Sequence, residues 1–314
     1  MFEVIKPGLF TTVQDQGRWG YQGYGVGIAG AMDSFALAAA NLLVGNPEET
    51  AGLEMTVQGP TLKFRCKTLF AATGADFAPR LDGVSISNWT THLAFPGSVL
   101  SFGGRKSGVR AYLAVSGGID VPSIMGSRST YLLGHFGGME GRPLKAQDIL
   151  PIGTPPVLAT HLAGKRFPEN LRPPYKKNPR LRVILGPFQD FFSEKGMSTF
   201  LSTAYAITPN SDRMGYRLQG KAISRQETKE LITCGLANGT IQVPPNGQPI
   251  ILLADRQTIG GYPIIATVIH ADLPLLAQCA PGDQLSFTEV TPDEGREAFL
   301  NLFSSLRNFP PSRN

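Results

Sequence analysis

Pro96-Gly97-Ser98-Val99-Leu100-Ser101-Phe102 reappears in the second half of the chain as Pro281-Gly282-Asp283-Gln284-Leu285-Ser286-Phe287. Each copy is a proline–glycine turn that feeds a short, mostly apolar run. Proline presets φ at the first central position of a turn, and glycine supplies a positive φ at the second. A strand follows such a turn more naturally than a helix. Two weaker matches keep the same order. Gly74, Pro79, Gly83 and Ile86 are spaced much like Gly239, Pro244, Gly247 and Ile250. Gln58-Gly59 precedes the first set, and Gln219-Gly220 precedes the second. Each match alone is weak, because such turns recur in β proteins. Together they predict a duplicated β unit.

The composition agrees. Gly (36) and Pro (25) make up about a fifth of the 314 residues, against a usual ~12%. Charged residues are 17%, below the roughly 25% of a typical globular protein. Many turns and short strands explain this better than long helices. The runs 68–72, 111–115, 181–185, 250–253 and 264–269 read as strands: short, apolar and bounded by Gly, Pro or Asp. Three stretches read as helices. Asp33 or Ser34 can cap one that runs to about Val44 and stops at Gly45. Phe188 to Leu201 is a second. Thr291-Pro292-Asp293-Glu294 opens the third as a capping box, which runs out in a polar tail ending Pro310-Pro311-Ser312-Arg313-Asn314. The predicted organisation is an N-terminal β-rich half (1–152), a proline-rich connection (153–180), a C-terminal β-rich half (181–290), and a terminal helix and tail (291–314).

The formal charge is +5. Nucleic-acid binding calls for basic residues gathered in a stripe. The one dense cluster, Lys165 to Arg180, is broken by prolines and reads as a solvated linker. The excess also suits weak attraction of an anionic substrate or an acidic partner. Cys66, Cys234 and Cys279 form no CxxC pair. Cys66 and Cys279 adjoin apolar runs and read as buried spectators. The four histidines show no metal-ligand spacing, so no metal is expected. The N-terminus lacks signal-peptide character, and no apolar stretch reaches the ~20 residues of a membrane span. The default compartment is the cytoplasm.

The polar, glycine-rich loops carry the chemistry. Glycine lets a ligand approach the backbone closely. Gln14-Asp15-Gln16-Gly17-Arg18 opens one loop but fits neither a P-loop nor a dinucleotide fingerprint. Gly126-Ser127-Arg128-Ser129-Thr130 gathers three hydroxyls around an arginine, which suits either a carboxylate or phosphate ligand or a serine-rich turn. Ser211-Asp212-Arg213-Met214-Gly215-Tyr216-Arg217-Leu218, Ile241-Gln242-Val243-Pro244 and Ala254-Asp255-Arg256-Gln257-Thr258-Ile259-Gly260-Gly261-Tyr262-Pro263 leave apolar strands. Strand-end loops often hold sites. Local ion pairs at turns are the alternative for Asp212-Arg213 and Asp255-Arg256.

TTVQDQGRWG, GAMD followed by AxxxANLLVGN, GSRSTY, SDRMGYRL, IQVP and ADRQTIGGYP occur here in that order. In these motifs the chain resembles the biotin-dependent carboxyltransferase family of the KipA type. The likeness runs from about Phe2 to Val290, and departs where Gln16 replaces the usual leucine of QDLGR. Members of the family include the C subunit of bacterial 5-oxoprolinase, and similar domains occur in urea carboxylase. The resemblance implies a mostly β architecture with cyclophilin-like barrel character, in agreement with the two related halves that the repeat predicts. It implies partners: a KipI-type B subunit and the A subunit of 5-oxoprolinase. It also implies ATP-dependent opening of 5-oxoproline to glutamate, with ATP needed by the complex. The AMKM segment of a biotin carrier is missing, so covalent biotin is not expected on this chain.

Opening a resonance-stabilised lactam calls for activation, and phosphoryl transfer is catalysed mainly by positioning and charge stabilisation. On that basis Arg18, Arg128 and Arg213 are expected to clamp phosphate or carboxylate. Asp212 or Asp255 is expected to orient a nucleophile or a metal-bound water. Gln14, Gln242, Gln257, Thr258 and Tyr262 complete the expected substrate site. Asp212, Arg213, Asp255, Gln257 and Tyr262 are expected to meet in one cleft. Two other readings stay open: a carboxyltransferase that moves CO2 from carboxybiotin to urea or a related amide, and a KipA-like regulator of a KipI-like kinase inhibitor.

Overall fold

The two proline–glycine segments adopt the same local structure. The computed structural model describes residues 1–155, 160–226 and 231–309. In the first copy the Ser98 N–H donates to the Phe95 carbonyl (3.0 Å) and Gly97 sits at φ +94°. In the second, Asp283 N–H donates to the Ala280 carbonyl (3.0 Å) and Gly282 sits at φ +92°. Proline, then glycine at positive φ, under such a hydrogen bond is a type II turn. The side chain after the turn closes it in both copies. Phe95 N–H donates to Ser98 Oγ (3.3 Å), and Ala280 N–H donates to Asp283 Oδ2 (2.8 Å).

The chain divides into two compact units. The first contains Met1–Trp19, Ala29–Pro173 and the chain from Phe303 onward. It holds β1 (Phe2–Lys6), β2 (Phe10–Gln14), α1 (Ser34–Leu43), β3 (Gly52–Thr56), β4 (Thr61–Phe64), β5 (Thr68–Asp76), β6 (Pro79–Leu81), β7 (Val84–Ser85), β8 (Thr91–Ala94), β9 (Val99–Phe102), β10 (Ser107–Val115) and β11 (Ile149–Leu150). One sheet has the order β11-β1-β4-β9-β6-β7 and the other β2-β3-β10-β5-β8. Phe2, Phe64 and Leu100 from the first sheet share a core with Leu53, Phe70 and Leu113 from the second.

Helix α1 is apolar on nearly every side, as its sequence SFALAAANLL requires, so it is buried rather than laid on a surface. Asp33 caps it by accepting from Ala36 N–H (2.9 Å). Thr73 and Thr91 on β5 and β8 donate to its Ala36 and Leu43 carbonyls. Phe35 meets Phe167 and Phe303 edge to face. The basic connection is more than a solvated linker, because Lys165 lies over the Phe309 ring and Arg172 over Trp89.

The second unit contains Gly20–Ile28 and Pro174–Leu302. It holds β12 (Arg180–Leu185), α2 (Glu194–Ser202), β13 (Tyr205–Ile207), β14 (Gly215–Gln219), β15 (Cys234–Gly235), β16 (Thr240–Gln242), β17 (Ile250–Leu252), β18 (Ile259–Gly260), β19 (Ile264–Val268), α3 (Leu273–Ala277) and β20 (Gln284–Glu289). Seven strands close into a barrel, β12-β19-β16-β17-β14-β13-β20, sealed by a parallel β12–β20 pair. This is the cyclophilin-like barrel architecture the sequence led us to expect. Phe200 of α2 stacks on Phe287 of β20 at 4.6 Å. α4 (Pro292–Arg307) begins with the predicted box: Thr291 N–H donates to Glu294 Oε2 (2.7 Å), and Glu294 N–H to Thr291 Oγ1 (3.3 Å).

The repeat extends to the strand before each turn. Lys63 pairs with Val99 and Leu62 with Leu100; Ala206 pairs with Gln284 and Tyr205 with Leu285. Gly97 N–H donates to the Phe64 carbonyl, and Gly282 N–H to the Ile207 carbonyl, both at 2.8 Å. Beyond this module the units differ, with two open sheets in one and a closed barrel in the other. The helix expected over 188–201 starts later, at Glu194, because the Ser193 hydroxyl caps it by accepting from Gly196 N–H. Cys279 is buried, but Cys66 is only half-buried, against the N-terminal amine. The expected tail at 310–314 lies outside the described residues.

Nothing stands within 4 Å of a Cβ built on Gly97 or Gly282. Replacing either by alanine therefore tests backbone strain alone, which is roughly 1–2 kcal/mol for an L-residue at such a φ. Gly97→Ala and Gly282→Ala are expected to destabilise their units by similar amounts in urea unfolding, with asparagine milder at both. A clear inequality between the two would show that the turns are not equivalent.

Candidate active site

Strand β14 is entered through Ser211-Asp212-Arg213-Met214, and β17 is left through Leu253 to Gln257. The ladder between them continues past the strand ends: Leu253 N–H donates to the Met214 carbonyl and Asp255 N–H to the Arg213 carbonyl, both at 2.9 Å. The chain turns here: Asp212 N–H donates to the Gly215 carbonyl (3.2 Å) and Asp212 Oδ1 accepts from Met214 N–H, so that Arg213 is buried while Asp212 is exposed and Met214 half-buried. Arg213 Nε meets Asp255 Oδ2 at 2.9 Å, and Nη2 meets Oδ1 at 3.0 Å. Both residues are buried, at 5% and 2% exposure.

This two-point pair corrects the sequence reading. The ion pair does not join sequence neighbours. It spans two loops and uses both oxygens of Asp255, so Arg213 and Asp255 stand behind the site rather than in it. Arg256, also buried, donates from Nε and Nη1 to the carbonyls of Leu236 and Leu253. Burial pushes its pKa down to about 10.

The outward side chains line a cavity of about 230 Å³ on the outer face of the barrel. Gly215, Ile250 and Leu252 supply an apolar floor, with Met214 beside it. Asp212, Arg217, Gln242, Gln257 and Tyr262 supply the polar rim. Gly215 matters because a Cβ there would come within 2.9 Å of the Ile251 carbonyl oxygen. Asp212 Oδ1 accepts from Met214 N–H (2.8 Å) and Gly215 N–H (3.3 Å), which fixes the carboxylate and leaves Oδ2 to a ligand. Gln242 Nε2 donates to the Tyr262 carbonyl (3.0 Å), which orients its amide and leaves Oε1 as an acceptor. A second cavity, of about 680 Å³, shares Arg217, Ile250 and Tyr262 with the first.

Of the residues expected to form one cleft, Asp212, Gln257 and Tyr262 meet here, joined by Gln242 of the expected substrate site, while Arg213 and Asp255 do not line the cavity. Thr258 does not line either cavity; its carbonyl accepts from Leu236 N–H. Arg217 was not singled out from sequence. The signal was present, since Tyr216 and Leu218 alternate with Arg217 and Gln219 along β14, and only the latter two are exposed.

Gln14, Arg18 and Arg128 belong to the first unit, where they build a buried network around Asp15. Asp15 Oδ1 accepts from Gly17 N–H, Ser127 Oγ and Ser129 Oγ, and Oδ2 accepts from Arg128 N–H. This carboxylate ties the two glycine-rich loops together. Arg18 is fully buried. Its Nε and Nη2 donate to the Ile124 and Ser129 carbonyls, and its guanidinium lies over the Phe136 ring. Desolvation lowers its pKa. Arg128 Nε donates to the Val121 carbonyl and Nη2 pairs with Asp120. Gln14 is buried and donates to Thr12 Oγ1 and the Thr130 carbonyl. The clamp expected of Arg18 and Arg128 is thus turned on the protein's own loops. A second buried cluster went unseen in the sequence: Glu54 Oε2 accepts from Tyr112 OH (2.7 Å) and Met32 N–H (2.8 Å). Burial, then the nearby Glu54 and Asp33 carboxylates, push the Tyr112 phenol well above its usual value.

Removing one partner of a buried ion pair typically costs ~3–5 kcal/mol, because the other charge is stranded. Arg213→Ala is expected to lower unfolding stability by about that much, and the Arg213→Ala/Asp255→Ala double variant by less than the sum of the two singles. A double-mutant cycle in urea measures the coupling directly; additivity would show the pair to be incidental.

Comparison with known proteins follows the same lines. The family "Carboxyltransferase domain, subdomain A and B" matches residues 24–289. The 5-oxoprolinase C subunit of Escherichia coli (strain K12) is 40% identical over 299 residues, covering 95% of this chain and 94% of that protein. The 5-oxoprolinase C subunit of Haemophilus influenzae is 36% identical over 294 residues, covering 94% and 93% respectively. Among solved structures, the K. lactis urea amidolyase superposes with a TM-score of 0.92 at 32% identity; it covers 98% of this chain, which spans 20% of the larger protein. By these matches the chain is a member of the carboxyltransferase family whose domains are built from subdomains A and B.

Proposed function

We propose that the chain is the C subunit of a 5-oxoprolinase, and that the small cavity on the barrel's outer face is where it handles the lactam. The observation that carries this reading is the cavity's division into an apolar floor and a polar rim. A five-membered lactam has the same division. Its ring faces are apolar, while its edge offers one N–H, one carbonyl oxygen and a carboxylate. Ile250 and Leu252 take a ring face, and Gln242 Oε1 accepts from the amide N–H. Gln257 and Tyr262 reach the carbonyl edge. Asp212, through its open Oδ2, orients the attacking water as general base. With the lactam oxygen phosphorylated, water adds to the carbonyl carbon and gives up a proton, the C–N bond breaks as the amine takes a proton, and the resulting acyl phosphate is hydrolysed by a second water to L-glutamate and inorganic phosphate.

The identity to two 5-oxoprolinase C subunits, across nearly their whole length, supports this reading. It implies partners, and we assign activation by ATP to the assembly with a KipI-type B subunit and a 5-oxoprolinase A subunit, in the cytoplasm. Among the described residues no helix is long and apolar enough to cross a membrane. The likeness to urea amidolyase favours a second reading, carboxyl transfer to urea or a related amide.

Glutamate release from 5-oxoproline and ATP, with each component omitted in turn, tests the assignment. Turnover is expected only from the full set; turnover by this chain alone, or no change on leaving it out, would defeat the proposal. Within the active assembly, Asp212→Asn is expected to lower kcat by about 10²–10⁴-fold, the usual contribution of a general base, with the melting temperature nearly unchanged. An unchanged kcat would remove Asp212 from the chemistry.

A further inference from the structure

Arg217 stands midway along β14 on its outward side. It pairs directly with Ile250 of β17, and Ile250 pairs in turn with Gln242 of β16. These three side chains form a row across the outer face of the barrel. The smaller cavity uses the whole row, and the larger one uses Arg217 and Ile250. Arg217 therefore sits at the junction of the two spaces. It is the single basic residue among the described residues that line them.

Three other arginines of this unit are committed. Arg213 is held by Asp255, Arg182 by Asp272 at 2.6 Å, and Arg256 by two backbone carbonyls. The Arg217 guanidinium makes no ion pair and no side-chain hydrogen bond with any described residue; only its backbone is engaged, through Ser211 and Thr208. An exposed arginine on a flat surface would call for no comment. This one overlooks an apolar floor, where attraction between charges is stronger than in open water. Its planar fork matches a carboxylate at two points. The one acid on the rim, Asp212, already spends Oδ1 on backbone N–H groups.

We propose that Arg217 is the carboxylate anchor of the smaller cavity, and that it selects an anionic amide over a neutral one. This rests on the lactam reading above and sharpens it. Placing the substrate carboxylate at Arg217 lays the ring over Ile250 and turns its amide toward Gln242, the next residue in the row. Urea and other neutral amides leave the guanidinium unpaired and lack that orientation. A site built to bind one polar group rejects the analogue that lacks it.

The test compares 5-oxoproline with 2-pyrrolidinone, the same lactam without its carboxylate, in the full complex. Wild type is expected to prefer 5-oxoproline in kcat/KM by about a hundredfold or more, the scale of a charge-assisted two-point contact. Arg217→Ala is expected to raise KM for 5-oxoproline about a hundredfold with a smaller change in kcat. It should also bring the two lactams within about tenfold of each other, and Arg217→Lys should recover part of the preference. Equal losses for both lactams, or an unchanged KM for 5-oxoproline, would overturn the anchor. If the wild-type complex releases no glutamate, the lactam reading fails by itself. Calorimetric titration of the isolated chain with 5-oxoproline, 2-pyrrolidinone and urea then decides the anchor separately. Preferential binding of 5-oxoproline that Arg217→Ala abolishes supports it, and absence of any preference overturns it.

Discussion

The buried pair between Arg213 and Asp255 determines the rest of the candidate site. Each partner alone would be too costly to desolvate, so each requires the other. Their meeting fixes the chain just before β14 against the chain just after β17. The turn that carries Arg213 inward leaves its neighbours Asp212 and Met214 lining the cavity. Asp255 likewise sets the position from which Gln257 emerges. The polar rim is thus a geometric result of a charge pair that never touches the cavity, and the pair acts through positioning.

The first unit uses charge in the same way around a different centre. Asp15 gathers two hydroxyls and two backbone N–H groups from two glycine-rich loops, and Arg18 lies next to this cluster over an aromatic ring. A carboxylate with that many donors has little left for a ligand. Glycines packed against these loops serve packing as much as access. A Cβ on Gly137 would come within 2.1 Å of the Ser129 carbonyl, and within 3.0 Å of Arg18. Loops that look made for substrate contact are, in this unit, tightly sewn to themselves.

Much of the fold was legible in the sequence because it rests on local rules. The Pro-Gly turns, the Asp33 cap and the Thr291–Glu294 box each need only a few consecutive residues, and each formed. The site was legible in part. Gln257, Tyr262 and Asp212 were found because they sit in loops beside strands, and Gln242 because it closes a strand next to such a loop. Arg213 and Asp255 were found as well, but their partners were misjudged: sequence neighbours suggested local pairs, whereas the true partner lies 42 positions away. Nothing in the string Gln16-Gly17-Arg18 announces a fully buried arginine, since burial depends on loops more than a hundred residues further on. Arg217 was hidden by its own strand, where one charged residue among apolar ones looks like ordinary solvent-facing alternation.

The sheet edges constrain how another protein can approach. The barrel has no free rim. In the five-stranded sheet of the first unit, Thr130 and Leu144 donate to carbonyls of β2, while Thr91 of β8 exchanges hydrogen bonds with Gly164 and Lys165. The outermost strands of the six-stranded sheet, β7 and β11, are two residues long. The β15–β18 ladder is equally brief. Docking by β-augmentation, in which a visiting strand extends a host sheet, needs a long unpaired backbone edge. Among the described residues neither unit presents one. Across the described residues, recognition by another protein is left to side chains and loops, so that specificity there is written in residue identity and not in shared backbone hydrogen bonds.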